Sequence, residues 1–522
     1  MSEQYLLGID TGGSGVRAVL FEAHGKCVAS ASRAFSPHFE ADGTAFYSVA
    51  EVQNAEIEAI RDTVSESGVD PRQIVGISAA VLGVLLTGFS ADGEALTECL
   101  FFSDPRFTSH TDDVWTALRA TGMSEEEYHA ITHSHPRTLS AILAIREQQP
   151  ELATRVARWS NTMQPFLYSA LGGRWDIDPE DYGGYKNAYN PVARRFDPSV
   201  AAALDLPETH WVEHRYLAEP CGAVSREGAA LTGLTEGTPL FAGANDQLAQ
   251  MIAQGALGED DLCLNLGSSA VLSRLTSGSP GAFDPLVQVV GGGSPDRLRL
   301  TSNMATFGSS LTWLKDQIAF GFLGADAEER LNEDPFRFMT QMARTSPVGA
   351  HGVSFAPLFI GRPDAPYARA SFFGIDLATT TADLVRAVVE STAFEIRTCM
   401  EALERATQRS AQVAYATGGP SESTLWMQIV ADVTGLTLKC SSTPRLTGAK
   451  GAAIIAGIGA GIYADPADGL ARQGEDTVTV VPDPETSARY EPLYRAYTRM
   501  VDAACQHIYQ PPEAAVARAV AA

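Results

Sequence analysis

The sequence predicts an α/β protein built as two similar domains facing each other across a cleft. Three observations carry this expectation. Strand and helix patterns alternate along the chain. The 522 residues are too many for one core, so two domains of roughly 200–250 residues are the natural division. Each half also opens the same way, with an apolar strand, a small polar turn and a second strand. The two openings are "YLLGIDTGGSGVRAVLF" from Tyr5 and "DLCLNLGSSAVLSRL" from Asp261.

Tyr5–Ile9 reads as a buried strand that stops at the turn-prone run Asp10–Gly15. Val16–Phe21 and Cys27–Ser32 read as strands joined by His24-Gly25-Lys26. A dinucleotide-binding fingerprint needs a helix to begin inside its glycine run, and Val16–Phe21 has strand composition instead. Ser48–Ser67 reads as an amphipathic helix with Val52, Ile57, Ile60 and Val64 near helical spacing. The run from Ile74 to Gly88 reads as one buried strand. Further helices are expected at Pro136–Ile145, Pro165–Leu171, Gln247–Gln254 and Thr380–Ala406, and from about Ser423. Further strands are expected at Asp261–Ser269 and Gly352–Phe359. The boundary falls in the Gly-rich, acidic stretch Gly255–Asp261. It gives domains at 1–254 and 255–508, with an Ala-rich tail at 509–522.

Composition narrows the function. Lys and Arg total 38 against 63 Asp and Glu, a formal charge of −25. Such a field repels a phosphate backbone and argues against a nucleic-acid partner, while a nucleotide arriving with magnesium remains compatible. Seven cysteines occur with no CxxC pair, which argues against a disulfide framework or zinc knuckle and for a reducing, cytoplasmic compartment. The start "MSEQYLLGID" lacks a basic region before an apolar core, so no signal peptide is expected, and no apolar run is long enough to span a membrane.

Glycine-rich turns at strand ends expose backbone N–H groups and form anion-binding concavities. Gly12-Gly13-Ser14-Gly15 and Gly267-Ser268-Ser269 suit a phosphate chain approached from two sides, or are simply tight hairpins. Asp10 either forms its turn or holds a metal through water. Asp104, in "FFSDPRF", either binds hydroxyls or pairs with Arg106. In "TPLFAGANDQLAQ", Asp246 either caps the following helix or faces the cleft as a proton acceptor. "ATGGPSESTLWMQIVADVTG", from Ala416, joins a glycine turn to a helix N-terminus open to a base or phosphate, with Ser421 or Ser423 as N-cap. His129, His133 and His135 cluster without a carboxylate at metal spacing and read as a surface or substrate-adjacent group rather than a zinc site.

Together these motifs resemble the FGGY family of carbohydrate kinases, in the same order over roughly Leu6 to Tyr463. The matching segments are "GIDTGGSGVRAVLFEAHG", "LFFSDPRF", "AGANDQLAQMIAQGAL", "LNLGSS", "FFGIDLATTTADLVRAVVESTAFEIR", "ATGGPSESTLWMQIVADVTG" and "GAKGAAIIAGIGAG". The resemblance implies two actin-like domains on ribonuclease-H-like sheets. It also implies ATP-dependent phosphorylation of a sugar or polyol hydroxyl, with Mg²⁺ required and a homodimer as the common assembly. By carry-over, Asp246 is the general base and Asp10 acts on Mg²⁺. Gly12, Gly13, Ser14, Arg17, Gly267 and Ser268 line the phosphates. Gly308, Gly419 and Ser423 approach adenosine, and Leu82, Ser103, Asp104 and Gln247 meet the acceptor.

Departures are specific. Gly13-Ser14 stands where the family has Thr-Thr, Val81-Leu82-Gly83 where xylulose kinases have Met-His-Gly, and Phe102 where the family has Trp. A ketopentose, tetritol or pentitol is the expected acceptor. The hydroxyl lost at Gly13 in the first turn also allows a weakly catalytic or inactive nucleotide- and sugar-binding sensor. An actin-like ATPase is the third reading.

Overall fold

The computed structural model describes residues 3–317, 335–362, 365, 367–474 and 477–509. The expected tail at 509–522 lies outside these apart from Tyr509.

Each half is organised on a seven-stranded sheet. In the first, β1 (Tyr5–Gly12), β2 (Gly15–Glu22) and β3 (Cys27–Ala34) form an antiparallel meander. On the other side of β1, β4 (Ile74–Val81) runs parallel to it. Beyond lie β5 (Pro220–Ala223) and β6 (Pro239–Phe241), with β6 parallel to β4 and antiparallel to β5. The second sheet repeats the plan. Here β7 (Asp261–Leu266), β8 (Ala270–Thr276) and β10 (Leu298–Met304) form the meander, with β9 (Gln288–Gly291) at its edge. Across β7 run β11 (Val413–Thr417) and β12 (Thr437–Ser441) in parallel, closed by antiparallel β13 (Thr477–Val480). The repeat expected from two matching hairpins thus extends to whole sheets.

β1 is apolar almost throughout because both its faces are covered. Leu7 and Ile9 join a core with α1 (Val49–Ser67), whereas Leu6 joins a second core between the halves. Local signals set the helix ends. α1 stops at Gly68 with φ 67°, a left-handed position that glycine tolerates without strain. α3 (Thr381–Thr407) begins with a Thr380–Asp383 capping box.

The two halves meet through two helices, α2 (Asp246–Gln254) and α5 (Thr447–Gly459), with α4 (Thr424–Thr434) on the outer side of the second sheet. α5 follows β12 of the second half, yet lies on β1 and β4 of the first and against α2. It carries four glycines, each costing a helix interior roughly 0.5–1 kcal/mol relative to alanine. Close approach is the reason they are kept. A Cβ on Gly8 would overlap the Ala449 carbonyl, and one on Gly451 would overlap the Ala249 carbonyl.

Ile74–Gly88 is not the single strand expected. It breaks at Leu82, and Gly83–Phe89 leaves the main sheet to pair with Arg158–Thr162 in an accessory sheet. Val84 has φ 63° at this break, and the Tyr182 ring occupies the space beside Gly83 that a side chain would need. Local composition cannot signal a kink imposed by a ring about a hundred residues away in sequence. Gly352–Phe359 likewise keeps only Ser354–Ala356 as strand. No described helix is long and apolar enough to cross a membrane.

The seam between α5 and α2 admits no side chain at Gly451. Gly451→Ala is expected to lower unfolding free energy by about 3 kcal/mol or more, because both clashing groups are backbone. Urea unfolding beside wild type measures it; an unchanged midpoint would refute the close-packing account.

Candidate active site

Three parallel segments deliver the first carboxylates. β1 carries Asp10 near its C-terminal end, and β4 lies beside it. The short strand Ala244–Asn245 pairs with β4 at Ala80 and Val81 and places Asp246 at the next position. Both acids therefore stand at the C-terminal edge of a parallel sheet, where open α/β sheets leave a crevice.

Asn245, not Asp246, is the N-cap of α2. Its side-chain oxygen accepts from the Gln247 amide at 2.9 Å. Its Nδ2 donates to the Tyr182 hydroxyl at 2.8 Å, and its backbone N–H to Asp181 Oδ2 at 3.0 Å. Relieved of sole capping duty, Asp246 is half-buried, with one oxygen accepting from the Gln247 amide at 2.9 Å. Burial raises Asp246 to about 6, with that amide and Arg299 pulling the other way. It is therefore ionised at neutral pH and basic enough to take a proton.

Burial and the neighbouring Asp246 charge raise Asp10 to about 7, against the pull of Arg17. Arg17 is the cross-strand partner of Asp10 on the hairpin, and its guanidinium donates to the Arg445 carbonyl just before α5. Gly448 of α5 lies directly against Asp10, where a Cβ would overlap the carboxylate.

Sequence reasoning missed the charges that frame this pair. Asp181 and Glu180 lie buried in the short 3-10 helix Glu180–Lys186. Burial raises Asp181 to about 6 and Glu180 to about 7, each countered by an arginine. Arg299, fully buried in β10 of the second half, donates to Gln247 Oε1 at 2.8 Å and pairs with Asp181 at 3.5 Å. Arg194 holds Glu180 at 3.0 Å. One signal was present: "RLRLTSNM" is a strand with arginine between leucines, and a buried arginine needs a counter-charge.

The first turn holds Gly12, Gly13 and Ser14 beside Leu82. The Tyr47 hydroxyl donates to the Gly13 carbonyl at 3.0 Å, and Leu82 N–H donates to Thr11. In the second half, Gly267, Ser268 and Gly308 converge. Gly308 N–H donates to Gly267 and Ser309 N–H to Ser268. Gly418 fits against the Leu266 carbonyl, which leaves Gly419 facing open space. Ser423 is the N-cap of α4, accepting from Trp426 N–H at 3.3 Å.

Asp104 is spent inside the first half. Its carboxylate accepts from Arg106 Nε and Nη2 at 2.7 Å and from the Arg106 and Ala45 amides at 2.9 Å. Ser103 beside it is exposed. Of the three histidines, His129 stacks on Phe283 of the second half at 4.3 Å and meets the His135 ring at 5.1 Å. Among the described residues, no group of three or more His, Cys, Asp and Glu side chains could enclose a metal ion.

Residues 5–253 match the N-terminal domain of the FGGY family of carbohydrate kinases, and residues 263–460 match its C-terminal domain. The L-xylulose/3-keto-L-gulonate kinase of Escherichia coli (strain K12) is 27% identical over 517 residues, 96% of this chain and 97% of that one. The xylulose kinase of Bacillus subtilis (strain 168) is 24% identical over 95% of this chain and 96% of its own. The crystal structure of xylulose kinase from Rhodospirillum rubrum superposes with a TM-score of 0.83 at 23% identity, covering 96% of this chain and 99% of that one. With both domain models matched in order over two sheets of the same plan, the chain belongs to the FGGY family of carbohydrate kinases.

Proposed function

We propose that this kinase phosphorylates a hydroxyl of a small ketose or polyol of ketopentose, pentitol or tetritol size, with Asp246 as general base and Mg-ATP as donor. One observation carries the reading: a half-buried carboxylate of pKa about 6 stands at the sheet edge beside a second, Asp10. The xylulose in the names of both the Escherichia coli and the Bacillus subtilis relatives is a five-carbon ketose and supports the acceptor size, while the first name adds a six-carbon keto acid.

Residues 1–254 would hold the acceptor and the base, and residues 255–508 the nucleotide. Asp246 accepts the hydroxyl proton as the substrate oxygen bonds to the γ-phosphorus. The bond from that phosphorus to the β-bridging oxygen breaks, ADP leaves, and the proton rests on Asp246. Positioning and charge stabilisation do most of this work in phosphoryl transfer. Gly12, Gly13, Ser14, Arg17, Gly267 and Ser268 face the phosphates. Gly308, Gly419 and Ser423 face adenosine, the open space above Gly419 suiting a flat base. Leu82, Ser103 and Gln247 face the acceptor, and Asp104 holds the loop that presents Ser103. Asp10 fits Mg²⁺, because its carboxylate has no hydrogen bond or ion pair among the described residues and magnesium needs only one or two carboxylates. Bound there, the ion would neutralise phosphate charge.

Asp246→Asn is expected to cut acceptor-dependent ADP release by about 10²–10⁴-fold while ATP binding persists. Coupled ADP assay and calorimetry measure the two. Wild-type ATP binding without turnover on any acceptor would favour the sensor reading instead.

Arg299→Met tests the electrostatics. Arg299 favours ionised Asp246, so its loss raises that pKa, and the acid limb of kcat/KM moves to higher pH. Activity at pH 6 then falls relative to pH 8. A profile that keeps its acid limb would exclude Arg299 as a tuning charge.

Gly448→Ala displaces the Asp10 carboxylate and not backbone. It is expected to lower kcat at least tenfold with little change in Tm, the opposite balance from Gly451→Ala.

A further inference from the structure

Arg137 opens the helix Arg137–Gln148. One Nη2 hydrogen bond to the Phe102 carbonyl at 2.8 Å is its side chain's hydrogen bond, and no carboxylate among the described residues forms an ion pair with it. Arg106, Arg194 and Arg299 are each paired with a carboxylate, Asp104, Glu180 and Asp181 in turn, and Arg17, on the first glycine hairpin, donates to the Arg445 carbonyl on the phosphate side of the site.

Its position can be traced from both sides of the site. From the first glycine turn, Tyr47 contacts Gly13 and packs on Phe101 at 5.3 Å. Phe101 packs on Phe102 at 4.1 Å, and the Phe102 carbonyl meets Arg137. From the base, Asp246 acts electrostatically on Tyr185, whose carbonyl accepts from Thr138, the neighbour of Arg137, at 2.8 Å. Arg137 thus closes the wall between the acceptor loop at 101–104 and the segment 180–187. Water reaches its side chain, yet surrounding protein removes enough hydration to pull its pKa below the usual arginine value. A group open to solvent but largely enclosed is a group lining a cleft.

A partly desolvated cation without a counter-charge is costly unless a ligand supplies the charge. We propose that Arg137 determines acceptor specificity, and that the acceptor is a sugar acid: a short polyhydroxy or keto carboxylate whose carboxylate docks on the Arg137 fork while a hydroxyl faces Asp246. This rests on the kinase reading and on Asp246 as base, and it replaces the neutral acceptor given there with an anionic one. Guanidinium N–H groups beyond the Phe102 contact remain for a two-point carboxylate contact. One guanidinium matches the single charge of a carboxylate. A phosphomonoester, with nearly two charges, would want a second free cation, and Arg106 beside it is already committed to Asp104. On a chain of net charge −25, an anionic acceptor needs such a local cation.

The test compares matched acceptors of four to six carbons: ketoses and alditols, their aldonates and keto-aldonates, and sugar phosphates. ADP release is measured for wild type, Arg137→Gln and Arg137→Lys. The expected result is that wild type prefers the carboxylates, with kcat/KM at least about tenfold above the neutral partners. Arg137→Gln collapses that ratio mainly through KM, and Arg137→Lys restores part of it. A wild type that favours neutral sugars, or a ratio untouched by Arg137→Gln, overturns the inference and leaves the kinase reading standing. Preference for sugar phosphates overturns the carboxylate assignment. If no acceptor is turned over, the kinase reading fails, and calorimetry with the same aldonates decides separately. Binding by wild type and Asp246→Asn but not by Arg137→Gln supports the Arg137 subsite, and no aldonate binding refutes it.

Discussion

The close approach of α5 to β1 and α2 is the constraint on which the rest depends. Glycine at positions 8 and 451 lets backbone meet backbone where a methyl group would not fit. A helix from the second half thereby becomes part of the first half's core. The same approach sets Gly448 against Asp10 and fixes α2, whose first residue is Asp246. Packing and chemistry therefore share one seam. The helical propensity lost at its glycines is offset by dense contact on two sides.

A second consequence is electrostatic. Asp10, Asp181, Glu180 and Asp246 are all pushed upward by burial at neighbouring positions. Such a cluster is tolerable only with cations placed among it. Arg299 comes from the second half and reaches acidic and amide groups of the first, so the ionisation of Asp246 depends on the halves being together. If Asp246 is the base proposed above, this ties proton acceptance to the assembled site. Arg137 differs from these arginines because no carboxylate among the described residues pairs with it.

The legible parts of the fold and site were those written in contiguous residues. The two hairpins, the helix at Val49–Ser67 and the long helix at Thr381–Thr407 have their periodicity and end signals in place. Asp10 and Asp246 were visible because an acid directly after an apolar strand is conspicuous even without neighbours. The break at Leu82 was hidden, since the Tyr182 ring packed against it is remote in sequence. Asp104 presented two readings, and only the folded loop shows its carboxylate filled by Arg106 and Ala45. Glu180, Asp181 and Arg299 were hidden for the same reason, because a buried charge is recognised by its partner.

By itself the sequence determined the α/β class, the duplicated plan and the order of the family's motif segments. These follow from periodicity, turn chemistry and short-range spacing, which act within one element or between neighbours. Only the tertiary structure decided which carboxylates are paired and which stay open, how Arg299 crosses between the halves, and where α5 sits. Those outcomes depend on burial and on contacts between residues tens to hundreds of positions apart, where desolvation and distance set the energy.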